Sequence, residues 1–145
     1  MTKKKAIKWF IKKITNDKVK LIHGEDDDWA IHVEVPYVRL EVPSDLLMVT
    51  PSDNEFRDFM IGRSPIAKKF SNVTISILHE LGHYYNREIY DNTPEAEYKK
   101  SLKSNEAHFN LPCELVATDW AIEWLQDKKN RKLARKFEGK FFGGK

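Results

Sequence analysis

The sequence predicts one α+β domain: a helix, a small antiparallel sheet, then a run of helices. Three observations predict it. The chain has 145 residues, the length of a single domain. Its 41% hydrophobic content can build one core, which excludes a wholly disordered chain. The apolar pattern changes along the chain, from a short helical stripe through alternating segments to long helical stripes after Pro51. No internal repeat or low-complexity linker divides it, so residues 1–145 read as one unit.

The elements follow in order. Ile7, Phe10, Ile11 and Ile14 recur at helical spacing with lysines elsewhere on the wheel, which predicts an amphipathic helix over 3–14. Its stripe packs on the core or lies on a membrane surface. Residues 18–23, 29–34 and 37–42 hold β-branched or aromatic residues in rough alternation and read as strands. The acidic turn 24–28 separates the first two; it lacks the ligand spacing of a calcium loop and reads as solvated. Pro36 and Pro43 bracket the third strand, and residues 46–49 suggest a further short one. Ser52, with Glu55 three residues on, predicts an N-cap for a helix to about Ile61. Ser71 or Asn72 starts a longer helix through about Asn86, and Pro94 suits the first turn of another. The stretch 111–127 is apolar-periodic through Leu115, Thr118, Ile122 and Leu125. A basic helix follows to about Phe137, and Gly143 and Gly144 fray its end.

Composition excludes several classes. No apolar run approaches the roughly 18 residues of a membrane span. The basic start is interrupted by Lys8, Lys12 and Lys13 and lacks a small-residue cleavage site, so a secretory signal is not expected. Cys113 is the single cysteine, which excludes an intramolecular disulfide and fits a reducing, cytoplasmic setting. The net charge of +3 hides an uneven distribution. Residues 1–22 carry eight lysines against Asp17, and residues 128–145 carry eight basic residues against Glu138, a net +7 at each end. The middle carries nine basic and twenty acidic residues, a net −11. The basic ends suit nucleic acid or another acidic partner, or they dock on the chain's own acidic middle.

The segment that carries chemistry is 73–86, which contains His79-Glu80-Leu81-Gly82-His83. On a helix, two histidines four apart project from one face, and their imidazoles can converge on one zinc ion. Glu80 sits beside them, placed to reach a water on that ion. Gly82 makes sense if another backbone or a ligand must come close. A catalytic zinc needs a third protein ligand. A metzincin would place a histidine at position 89, which is Ile89, and peptide deformylase uses a cysteine upstream, where this chain has none. Three downstream residues remain: Glu114, His108 and Cys113. Glu114 sits in the first turn of the predicted helix after Pro112, where Ala117 and Ala121 let a second helix approach closely.

His-Glu-x-x-His followed by Glu114-x-x-Ala117 resembles the gluzincin side of the zincin metallopeptidases. The sequence is most similar to the ImmA/IrrE family of phage and mobile-element metallopeptidases, over about 71–121, with Trp120 at the aromatic position. The resemblance implies a zincin-like fold in which His79, His83 and Glu114 bind one zinc ion and Glu80 is catalytic. It also implies a protein or peptide substrate, such as a phage-type repressor. Related sites carry Asp or Asn four residues after the ligand glutamate; here that position is Thr118, and Asp119 is the alternative partner for a zinc-bound histidine. His108 and Tyr84 are candidate oxyanion donors. Two other readings stand beside this one. In one, a non-catalytic zinc-binding protein binds nucleic acid or a partner protein through its basic ends. In the other, a SprT-like protease acts beside DNA, which calls for a third histidine further along. An upstream strand, 37–42 or 46–49, is expected to pair with an extended substrate.

Overall fold

The structure is a computed structural model that describes residues 2–16, 18–23, 30–34, 37–42 and 51–143. It begins with α1 (Lys3–Thr15), capped by the Thr2 hydroxyl, which accepts from the amide of Lys5 at 3.2 Å. The helix ends at Asn16, which takes the left-handed conformation at φ 52° that a C-terminal cap requires. Its apolar stripe, Ala6, Ile7, Phe10 and Ile11, is buried in the core. The stripe packs on protein and is not left for a membrane surface.

Three strands follow: β1 (Val19–His23), β2 (Ala30–Glu34) and β3 (Tyr37–Val42). Here the expected α+β architecture with an antiparallel sheet is overturned. The molecule is predominantly helical, and its small sheet is mixed, in the order β1-β3-β2. β2 runs antiparallel to β3, with Ile31 opposite Leu40, whereas β1 runs parallel to it, with Leu21 opposite Leu40. The reason is connectivity. Two residues separate β2 from β3, so they close as a hairpin. β1 is then left the other edge of β3, and it meets that edge in the parallel sense. Alternation in a sequence identifies strands but carries no information on their order or direction. The acidic turn 24–28 and the suggested strand 46–49 lie outside the described residues.

The helical part comprises α2 (Pro51–Arg63), a 3-10 turn (Pro65–Lys69), α3 (Asn72–Tyr85), α4 (Arg87–Asp91), α5 (Glu95–Ser101), α6 (Asn105–Phe109), α7 (Pro112–Gln126) and α8 (Lys128–Phe142). α2 starts at Pro51, so Ser52 lies inside its first turn instead of capping it. Glu55 accepts from the Asn105 side chain of α6. α4 and α6 were not expected, since five residues show no periodicity.

α3 is the central helix. Ten of its residues are buried, including Val73–Leu78 as an unbroken run. A helix apolar on all sides belongs in the middle of a core, and α3 packs on α7, α2, α8 and the sheet. At the other side of the core, α8 lies along α1, with the Phe10 and Phe137 rings stacked at 4.4 Å. The two basic ends therefore meet each other, and α8 also packs on the middle of the chain, where Arg131 donates to the Leu125 carbonyl at 2.9 Å. Among the described residues, no helix is long and apolar enough to cross a membrane.

Candidate metal centre

The site forms where α3 packs against α7. Ser71 caps α3, its hydroxyl accepting from the Thr74 amide at 3.3 Å. Glu138 of α8 accepts from the Ser71 amide at 2.7 Å and from the Thr74 hydroxyl at 2.6 Å. These contacts and the buried apolar run fix the rotation of α3, and His79 and His83 then face α7 together. Gly82 lies at the contact. A Cβ there would stand 2.9 Å from the Ala117 Cα and closer still to the Ala117 carbonyl oxygen. The glycine and the alanine therefore let the two backbones touch. α7 begins with Pro112 in its first turn and carries Glu114 one residue past Cys113, at the helix end that favours a carboxylate.

This approach brings three side chains into one buried group. His83 Nε2 is 2.6 Å from Glu114 Oε2, and His79 Nε2 is 3.5 Å from Glu114 Oε1. The two imidazole rings meet edge to face at 4.7 Å. One ligand atom from each of His79, His83 and Glu114 lies within 4.8 Å of the others, and the three could hold a metal ion. They are the one such group among the described residues.

The electrostatics fit a cation. Burial pushes the Glu114 carboxyl upward, but hydrogen bonds from His108, His79 and His83 outweigh it and hold the group well below the usual carboxylate range. Burial lowers the His79 imidazole below its ordinary 6.5, and Glu114 only partly offsets this. An ionised carboxylate beside two imidazoles, out of water, is a donor set that a divalent ion completes.

The surrounding residues divide clearly. Thr118, buried one turn after Glu114, has its hydroxyl 3.2 Å from His79 Nδ1. A hydroxyl serves either tautomer: accepting from Nδ1–H, it leaves the Nε2 lone pair turned to the group. Thr118 thus takes the place expected of Asp119. One residue on, Asp119 is exposed and accepts from Arg63 at 2.6 Å, tying α7 to the end of α2. His108 does reach the site. Its Nε2 is 3.1 Å from Glu114 Oε1 and its Nδ1 is 3.2 Å from the Ser101 hydroxyl, yet it falls outside the three-residue group. Cys113 also falls outside; it is buried, burial pushes its thiol up, and its Sγ lies 3.9 Å from Glu114 Oε2. The Tyr84 ring packs on Tyr85 at 4.7 Å and near the Arg87 guanidinium at 5.8 Å. Glu80 is half-buried on the same turn of α3 as His79.

Ser101 and Phe56 were not anticipated. Ser101 donates to the Tyr98 carbonyl at 2.6 Å, and its hydroxyl oxygen lies 3.2 Å from His108 Nδ1. The Phe56 ring stands edge-on to His79 at 4.5 Å and walls the site on the α2 side. Neither had a sequence signal, because both come from helices with no motif of their own. Comparison of the chain with protein-family models, with curated proteins and with solved structures finds no match.

Proposed function

We propose that this chain is a zinc-dependent metallopeptidase related to the ImmA/IrrE family. One observation carries the reading: two histidines one turn apart on α3 and a glutamate from α7 converge in a buried group, with Glu80 next to the first histidine. Two imidazoles and one carboxylate are the protein ligands of a family of catalytic zinc sites, which keep a further position for water or substrate. A structural zinc site is closed by a fourth side chain, and neither Cys113 nor His108 joins the group. That favours catalysis over a purely structural ion. The SprT-like reading calls for a third histidine as ligand; His108 is the downstream histidine at hand, and Glu114 is nearer the pair.

Zinc held there supplies Lewis acidity, lowering the pKa of a water toward about 7 and polarising a peptide carbonyl. The chain's own residues do the rest. Glu80 takes the water proton and returns it to the departing amine. Thr118 fixes the ring of His79, and His108 holds Glu114 by its Oε1. Of the two stretches expected to receive the peptide, 46–49 lies outside the described residues and β3 has both edges occupied by β1 and β2. Among the described residues β1 and β2 are the edge strands, and β2 packs against α3, so we place an extended substrate along β2. A regulatory protein such as a phage-type repressor is the substrate class the family resemblance suggests.

The test is Glu80→Gln. It leaves zinc content unchanged by elemental analysis and lowers hydrolysis of the substrate protein by at least about 100-fold, the scale of a lost general base. Turnover retained in that variant, or surviving in verified metal-free protein, overturns the reading.

A further inference from the structure

We infer that α1 and α8 form one basic surface that binds the phosphate backbone of a nucleic acid. The sequence places its two +7 segments at opposite ends of the chain. The fold brings them side by side. Phe10 and Phe137 stack at the centre of the contact, and basic side chains cross the seam in both directions. Lys3 of α1 donates to the Phe141 carbonyl at 3.2 Å and lies over the Phe141 ring, while Lys140 of α8 lies over the Trp9 ring at 4.9 Å. The positive charge is therefore continuous from one helix to the other.

Charge of one sign faces outward. Lys4, Lys5 and Lys8 of α1 and Lys128, Lys129, Lys132 and Lys136 of α8 are exposed. α1 contains no acid, and the single acid within α8, Glu138, is turned inward onto Ser71 and Thr74. Lys128, Lys132 and Lys136 form one row of about 12 Å along the helix axis. A duplex carries about one charge per 1.7 Å, so such a row meets several phosphates.

The same packing argues against a membrane. Surface-active helices insert an apolar face, and here both apolar faces are spent: Ala6, Ile7, Phe10 and Ile11 on one helix and Ala134, Phe137 and Phe141 on the other are buried. Phe142 is exposed, but one ring is not a stripe. The surface uses no residue of the metal group, so it stands or falls separately from the proposed catalysis.

The experiment titrates the full chain against a mixed-sequence DNA duplex of about 20 base pairs, from about 50 to 200 mM salt, following fluorescence anisotropy. Two variants accompany it, K4Q/K5Q/K8Q and K128Q/K132Q/K136Q, each checked for unchanged thermal melting and zinc content. Binding weakens steeply with salt, and each variant weakens it at least about tenfold and lowers the log–log slope by about 0.9 per lost phosphate contact. The salt dependence of the unaltered chain is a second readout should a variant fold poorly. Absence of saturable binding at the low-salt end, a slope indifferent to either variant, or tighter binding to anionic vesicles or polyglutamate than to DNA overturns the inference.

Discussion

Thr118 and Asp119 are adjacent in sequence and have opposite roles, because one residue is about 100° of helix. Thr118 meets His79 Nδ1 from inside the core; Asp119 meets Arg63 at the surface. Thr118→Val keeps the shape and removes the hydroxyl. It weakens zinc affinity by about 10- to 100-fold, the usual effect of losing a ligand's orienting partner. Asp119→Asn leaves that affinity unchanged, and competition against a chromophoric chelator distinguishes the two. At this scale the pairing of His79 with His83 on one face was legible, since a fixed spacing on a helix is a geometric statement. Which histidine Thr118 would serve, and that Tyr84 would pack on Tyr85 and Arg87, depended on the relative rotation of α3 and α7. That rotation is set by contacts such as Glu138 with Thr74, separated by 64 positions.

At the scale of elements, the α3–α7 contact makes the site. Gly82 was readable as a place of close approach, and the backbone of Ala117 is what comes close. Gly82→Ala gains about 1 kcal/mol of helix propensity but pushes a methyl into that backbone, where overpacking costs about 1–3 kcal/mol or more. The variant is therefore less stable, and it loses zinc affinity as α7 is displaced with Glu114. Thermal unfolding and zinc titration check both effects; a more stable variant with full affinity would contradict the tight contact. Helix extents were read well where stripes were long, as in α1, α3 and α7. The sheet shows where reading stops. Each strand was placed within a residue of its position, yet the pairing came out mixed, because a two-residue link binds β2 to β3 and leaves β1 the remaining edge.

For the whole molecule, the buried group ties stability to pH. In metal-free protein, His79 is held below its ordinary 6.5 and Glu114 well below its ordinary 4.5. In both cases the unfolded chain binds protons that the folded chain does not. Their contributions are present above those ordinary values and are lost as pH falls. The urea midpoint of the metal-free protein should therefore drop between about pH 7.5 and 4; a midpoint that rises on acidification would contradict the burial of these groups. The charge distribution also takes on meaning at this scale. The acidic middle contains the metal group, while the two basic ends, remote in sequence, share the α1–α8 face through Phe10 and Phe137. No sequence pattern announces that pairing, because it depends on the closure of the entire chain. An anomalous-diffraction structure of the zinc-loaded protein tests the His79, His83 and Glu114 group most directly. One ion is expected, bonded to His79 Nε2, His83 Nε2 and a Glu114 oxygen at about 2.0–2.2 Å, with His108 bound to Glu114 and not to the metal. An ion held by His108 or Cys113 in place of Glu114, or no ion between the two histidines, would contradict it.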